Sequence, residues 1–260
     1  MHATLSLVRR EFSAYFLSPI AYVVLAVFLA VTGHLFYLTL LQLTAQGPQG
    51  IEFPMQLMLG DEKFWLVYLF IPPLLTMRLF AEEQGSGTLE VLMTSPLRDW
   101  QLVLSKFVAC FAFYLFLWVP TLLYLPVLLN RPTWEAWQGF TLSAGVDPMP
   151  VLTSALGIAL AGAMFLALGL LVSSLVRSQM VAALVSLVLC FLFICTVFWR
   201  PKMDPGSLAA RGLDFVSVPL HFSKDFSRGL VDTRHLTLYA SVAVFSLFLT
   251  VRSLEGRRWR

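Results

Sequence analysis

Glu82, Glu83 and Glu90 stand with Arg78, Arg98, Asp99 and Lys106 in the longest polar interruption within the first half of an otherwise apolar chain. Carboxylates and cations at this spacing can pair with one another or meet a charged partner. They lack the companions that bond-making chemistry needs. No G-x4-G-K-[ST] phosphate loop is present, and Gly85-Ser86-Gly87 has no lysine to hold a nucleotide's phosphates. Neither H-E-x-x-H nor G-x-S-x-G occurs. His2, His221 and His235 are scattered near the edges of apolar runs, and Cys110, Cys190 and Cys195 lie inside them, without metal-ligand spacing. The cysteines read as small packing residues. The chain therefore reads as no enzyme in its own right, with no cofactor, no metal and no nucleic-acid partner.

Around the charges, the local pattern predicts a turn and a short helix. Glycine stops helices and permits turns, so Gly85-Ser86-Gly87 should break the helix arriving from residues 64–83. Thr88 can then act as N-cap for a helix over residues 89–94, with Glu90 in its first turn, where the helix dipole favours an anion. Pro96 closes it by pushing Ser95 out of the α region. Leu89, Val91, Leu92 and Met93 make this helix apolar. It could dock into a partner's groove or rest on a bilayer surface.

Composition decides where such a helix sits. Of 260 residues, 58% are hydrophobic and 13% charged, whereas roughly a quarter are charged in soluble domains. Mean hydropathy is +0.78. This is an all-α integral membrane protein. No cleavable leader is expected, because the first apolar run is about as long as a true span, roughly 20 residues. Six spans are expected, at residues 19–41, 64–80, 103–129, 151–176, 180–199 and 236–251. Residues 1–18 carry Leu5, Val8, Phe12 and Tyr15 or Phe16 at helical spacing. They read as a helix in the membrane interface with its arginines toward lipid phosphates. Ser18-Pro19 then offers an N-cap and a first-turn proline for the first span. One face of the membrane collects ten Lys and Arg, from the N-terminus, the 81–102 loop with its flanks, Arg177 and the C-terminal tail. The other collects eight, six of them in the single stretch 200–235. Over the shorter loops the bias puts both termini and the central loop in the cytoplasm.

Inside the spans, Pro72-Pro73, Pro120 and Pro126 should curve the second and third helices. Ala155, Ala159, Ala163 and Ala167, with Gly157, Gly162 and Gly169 nearby, read as a close-packing face. His34, beside Gly33, is expected to hydrogen-bond within the packing. No Asp or Glu falls within the six spans, which disfavours an ion-coupled carrier. The outer stretch 200–235 should form one or two short helices tucked against the membrane. Phe222, Phe226 and Leu230 recur every four residues there, and Gly229 can end a helix.

The string Glu82-Glu83-x3-Gly87-Thr88-x-Glu90-x-Leu92-x3-Pro96, with Lys106 ten residues on, resembles the first cytoplasmic loop of ABC-2-type exporter permeases. The family's usual basic residue after the acidic pair is replaced here by Gln84. The resemblance implies that this loop is a coupling helix docking a separate ATPase subunit through Glu82, Glu83, Gly87, Thr88, Leu89, Glu90, Leu92 and Pro96. The string His221-Phe222-x3-Phe226-Ser227-Arg228-Gly229-x2-Asp232-x-Arg234-x4-Tyr239 is similar to the last outer segment of an ABC-2 branch that includes gliding-motility permeases. It implies an outer gate at His221, Phe222, Phe226, Arg228, Gly229 and Asp232. Residues 1–260 would then form one transmembrane domain without a nucleotide-binding domain, in a bacterial inner membrane among lipid. Its partners would be an ATPase that binds ATP and magnesium, and a second permease half, identical or paralogous. The alternative is a non-transporting membrane scaffold that binds partner subunits.

Overall fold

The computed structural model describes residues 2–46, 54–89, 98–124, 148–199, 204 and 206–258. All the elements in it are helical: α1 (His2–Leu17), α2 (Pro19–Gln46), α3 (Pro54–Leu59), α4 (Glu62–Tyr68), α5 (Ile71–Thr76), α6 (Ala81–Gly85), α7 (Asp99–Trp118), α8 (Pro148–Leu175), α9 (Gln179–Ile194), α10 (Leu208–Val216), α11 (Val218–Lys224) and α12 (Thr233–Arg258). Short 3-10 turns cover Val119–Leu123, Cys195–Phe198 and Phe226–Arg228. Among the described residues, five helical stretches are long and apolar enough to cross a membrane: Pro19–Gln42, Asp99–Leu123, Met149–Leu175, Gln179–Phe198 and Thr233–Gly256.

The expected span at 64–80 is not one helix. It is α4 and α5 joined by a turn at Leu69-Phe70 and followed by turns over 77–80. The prolines explain the break without loss of hydrogen bonds. Pro72 and Pro73 occupy the first turn of α5, where backbone N–H groups have no intrahelical acceptor anyway. The neighbouring N–H groups of Leu69 and Phe70 bond back to Trp65 and Val67 carbonyls at 3.0 and 3.2 Å. This broken segment is also the centre of the bundle, since Phe64, Trp65 and Tyr68 are each no more than 2% exposed. Pro120 falls in the 3-10 turn that finishes α7, while Pro126 lies outside the described residues.

α8 packs most extensively against α12 and also meets α5, α7 and α9. Of the small residues expected to form a packing face on α8, the glycines carry the close approaches. A Cβ at Gly162 would stand 2.2 Å from Tyr114 Cε1, and one at Gly169 would stand 2.1 Å from Thr76 Oγ1. At Gly157 it would meet Phe222 Cζ at 2.9 Å. Ala155, by contrast, is exposed and Ala159 and Ala163 are only partly covered. His34 likewise points out of the bundle from α2 and is exposed, where a packed, bonded histidine was expected. The three cysteines are buried and free, as packing residues should be.

The apolar stripe of α1 faces protein. Tyr15 stacks on Phe113 of α7 with ring centres 4.9 Å apart, and Phe16 sets its edge against Phe113 and Phe116. Arg9 and Arg10 remain exposed on the other side. α1 therefore lies on α7 and turns at Ser18 into α2.

Tyr114 cannot swing away from Gly162, because its hydroxyl is held between Tyr68 Oη at 2.9 Å and the Ile158 carbonyl at 3.1 Å. Gly162→Ala should therefore destabilise the bundle by about 1–3 kcal/mol, the usual cost of overpacking. Ala155→Val, on the exposed side of the same helix, should leave thermal unfolding in detergent unchanged.

Candidate functional site

Lys106 sits in the second turn of α7 and is 2% exposed. A lysine is rarely buried this completely unless paired. Its Nζ donates to Glu83 Oε1 at 2.7 Å and to Glu11 Oε2 at 3.3 Å. The Phe80 ring lies 5.3 Å away as a weaker cation–π partner. One buried cation thus ties together α1, α6 and α7. Burial pushes the Glu83 carboxyl above the usual carboxylate range, and Lys106 pulls it partly back down. Lys106 therefore favours the charged form of this carboxylate against the cost of its burial.

The opposite side of α6 is fastened to the end of α8. The Ser173 hydroxyl accepts from the backbone N–H groups of Phe80 and Ala81 at 3.0 and 3.1 Å, satisfying donors at the start of α6. Gln84 Nε2 donates to the Ser174 carbonyl at 2.8 Å, one of the acceptors left free as α8 finishes. The residue that stands where the family carries a base is thus an amide cap on a helix end. α6 then finishes at Gly85, and the chain turns through Gly87 at φ +73°, a left-handed conformation that favours glycine.

Several residues expected to meet a partner are placed by these bonds. Glu82 is exposed, with Arg78 Nε 3.8 Å from its carboxylate. Glu83 turns inward to Lys106. Gly87 and Thr88 are exposed, and the Thr88 hydroxyl lies 2.9 Å from Ser86 Oγ. Leu89 is 5% exposed and joins this chain's own core. Residues 88–89 are helical. Glu90, Leu92 and Pro96 lie outside the described residues, and with them most of the expected docking helix. Glu11 and the inward role of Lys106 were not expected from the sequence. The available signal was a lysine in an apolar helix with two acidic sites elsewhere to receive it.

At the other end of α8 the short helices α10 and α11 lie where one or two were expected, and Gly229 ends the Phe226–Arg228 turn at φ +84°. Phe222 and Phe226 are fully buried, with Phe222 4.8 Å from the Trp65 ring. Thr153 Oγ1 donates to the Phe226 carbonyl at 2.6 Å and Ser154 Oγ at 3.3 Å, fastening this turn to α8. Arg228 is exposed. Asp232 accepts from the Arg234 N–H at 2.8 Å and so caps the start of α12.

His221 completes this cluster. Nε2 lies 3.0 Å from the Asp214 carbonyl, which can only accept, so Nε2 carries the proton. Nδ1 then accepts from the Tyr239 hydroxyl at 2.7 Å. The His235 ring stacks on it at 3.6 Å, with His235 Nε2 3.0 Å from Asp225 Oδ2. Burial lowers the His221 pKa to about 4, and His235 adds to the effect.

These observations define a helical, multi-pass membrane protein with one buried charge cluster at one end of its core and a histidine cluster in a separate segment. Residues 58–215, more than half of the chain, match the family described as ABC-2 family transporter protein, and the chain belongs to that family. It is thus a membrane permease of the ABC transporter type and not itself the ATPase. Comparison with curated proteins finds no match.

The histidine cluster has a pH signature. An unfolded histidine takes a proton near 6.5, whereas folded His221 resists it down to about 4. Stability from this site should thus be complete above about pH 6.5 and fall as pH drops toward 4, by on the order of 2–3 kcal/mol. Thermal unfolding across this range should show that slope, and His221→Gln should flatten it.

Proposed function

We propose that the chain is the permease subunit of an ATP-driven exporter, and that α6 with the turn at Gly87 and the residues after it receives the motion of a separate ATPase subunit. The observation that carries this reading is the two-sided fastening of α6. Glu83 is held to Lys106 of α7, which also binds Glu11 of α1, and Gln84 and the first turn of α6 are held to Ser174 and Ser173 of α8. A push on this short element has no slack in which to dissipate. It passes directly to two long helices of the bundle.

In this reading the ATPase binds ATP and magnesium, and this chain holds neither. Glu82, Gly87 and Thr88 present the exposed docking edge, while Glu90, Leu92 and Pro96 continue it. Glu83 and Leu89 position that edge from beneath. Two permease halves, each of six membrane-crossing segments, enclose the pathway. The broken α4–α5 segment counts as the second of these, since its apolar length and central burial suit it to membrane depth. The charge asymmetry supports cytoplasmic termini and an inner-membrane location. The outer segment, with His221, Phe222 and Phe226 buried, Gly229 turning and Asp232 capping, then serves as a gate hinged beside the exposed Arg228. Its residue string supports the branch that includes gliding-motility permeases.

A docking element this short offers few contacts, so its energy should concentrate in one or two anchors. Leu92→Asp should abolish pull-down of the ATPase subunit while the permease still reaches the membrane. Gly87→Pro should do the same, because proline cannot adopt a positive φ. Normal ATPase capture by a well-inserted Leu92→Asp protein would exclude the docking role and favour a scaffold that binds its partners elsewhere.

A further inference from the structure

Where α1 turns into α2, a cavity of about 220 Å³ opens between these helices and the α5–α6 segment. Ala21, Val24, Leu74 and Leu75 give it an apolar wall, and Ser18, Arg78, Glu82 and Glu83 give it a polar one. Pro19 begins a stretch long and apolar enough to cross a membrane. The cavity therefore sits within two turns of the start of that stretch, at the level where headgroups give way to acyl chains. Val23 and Val27, exposed on α2, extend the apolar surface deeper.

Two lining residues each carry a buried polar atom with no hydrogen-bond partner among the described residues. One is a donor, Arg78 Nε, which stands 3.8 Å from Glu82 Oε2 as an ion pair without a hydrogen bond, and the other an acceptor, Glu83 Oε2. Neighbouring atoms of the same side chains are engaged: Arg78 Nη1 donates to Ser18 Oγ at 3.0 Å, and Glu83 Oε1 accepts from Lys106 at 2.7 Å. Buried polar atoms are rarely left unpaired, and unpaired ones in a lined cavity point to a ligand with complementary groups. The lining holds two cations, Arg78 and Lys106, and three carboxylates, Glu11, Glu82 and Glu83. A purely anionic head would meet a surplus of carboxylates. A purely cationic one would leave the arginine donor unmatched.

We propose that this cavity seats the headgroup of a membrane phospholipid that carries both a phosphate and an ammonium, with the phosphate accepting from Arg78 and the ammonium donating to Glu83. The acyl chains run along the exposed apolar side of α2. A lipid in this position braces the α1–α2 turn against the segment that leads into α6. The site stands on its own geometry and holds whether or not the neighbouring loop docks an ATPase.

The test is native mass spectrometry of the full-length protein in mild detergent, titrated separately with phosphatidylethanolamine, phosphatidylglycerol and dodecylammonium. One phosphatidylethanolamine should bind in preference to either competitor. Arg78→Gln and Glu83→Gln should each weaken it by about tenfold, the scale of one charge-assisted hydrogen bond. Phosphatidylglycerol binding should ignore Glu83→Gln. Ala14→Trp, at an exposed lining position that makes no ion pair, should also weaken phosphatidylethanolamine binding, and it keeps the test valid if the charge variants fold poorly. Equal retention of phosphatidylglycerol, tighter binding of dodecylammonium, or phosphatidylethanolamine binding indifferent to Ala14→Trp would each overturn the proposal.

Discussion

A lysine with 2% of its surface exposed is the constraint on which this end of the molecule depends. Its charge must be matched, and Glu83 and Glu11 match it from two other elements. A buried ion pair adds little net stability compared with apolar packing, yet losing one partner typically costs about 3–5 kcal/mol because a charge is left stranded. That asymmetry makes the cluster a device of specificity. Any arrangement in which α1 slides on α7, or α6 lifts from the bundle, strands Lys106 in an apolar setting. The three elements must therefore move together.

The other end of the bundle uses a different means to the same result. Two hydroxyls on α8 bond the Phe226 carbonyl, and Gly157 lets Phe222 and Phe226 lie directly on that helix. α8 is thus fixed to α6 at one end and to residues 222–226 at the other. Between them Gly162 and Gly169 admit Tyr114 and Thr76 at distances no side chain would allow. Close backbone approach transmits displacement well, since little compressible space separates the helices.

Much of this was legible in the amino-acid order. Apolar runs located the long helices, Ser18-Pro19 marked the turn into α2, and Gly87 and Gly229 took the positive φ values that their positions invited. Three features were not legible, each for a physical reason. The stripe on α1 reports that one side is apolar, but it does not distinguish lipid from the aromatic surface of α7. The run at 64–80 has the composition of a span, and hydropathy does not register that Pro72 and Pro73 start a new helix. The link between Glu11 and Lys106 joins residues 95 positions apart, beyond any local pattern. Gln84 looked like a departure from a family pattern and proves to be a helix cap, a role visible only once the end of α8 is beside it.

The central claim is that the buried lysine holds the loop in place. Hydrogen–deuterium exchange of the full-length protein in nanodiscs tests this most directly, comparing wild type with Lys106→Met. Methionine keeps the length and apolar stem of the side chain and removes the charge. Amide exchange across residues 81–89 should accelerate by at least tenfold, corresponding to a loss of about 1.4 kcal/mol in local protection, while the middle of α8 stays protected. Unchanged protection of residues 81–89 would contradict the account.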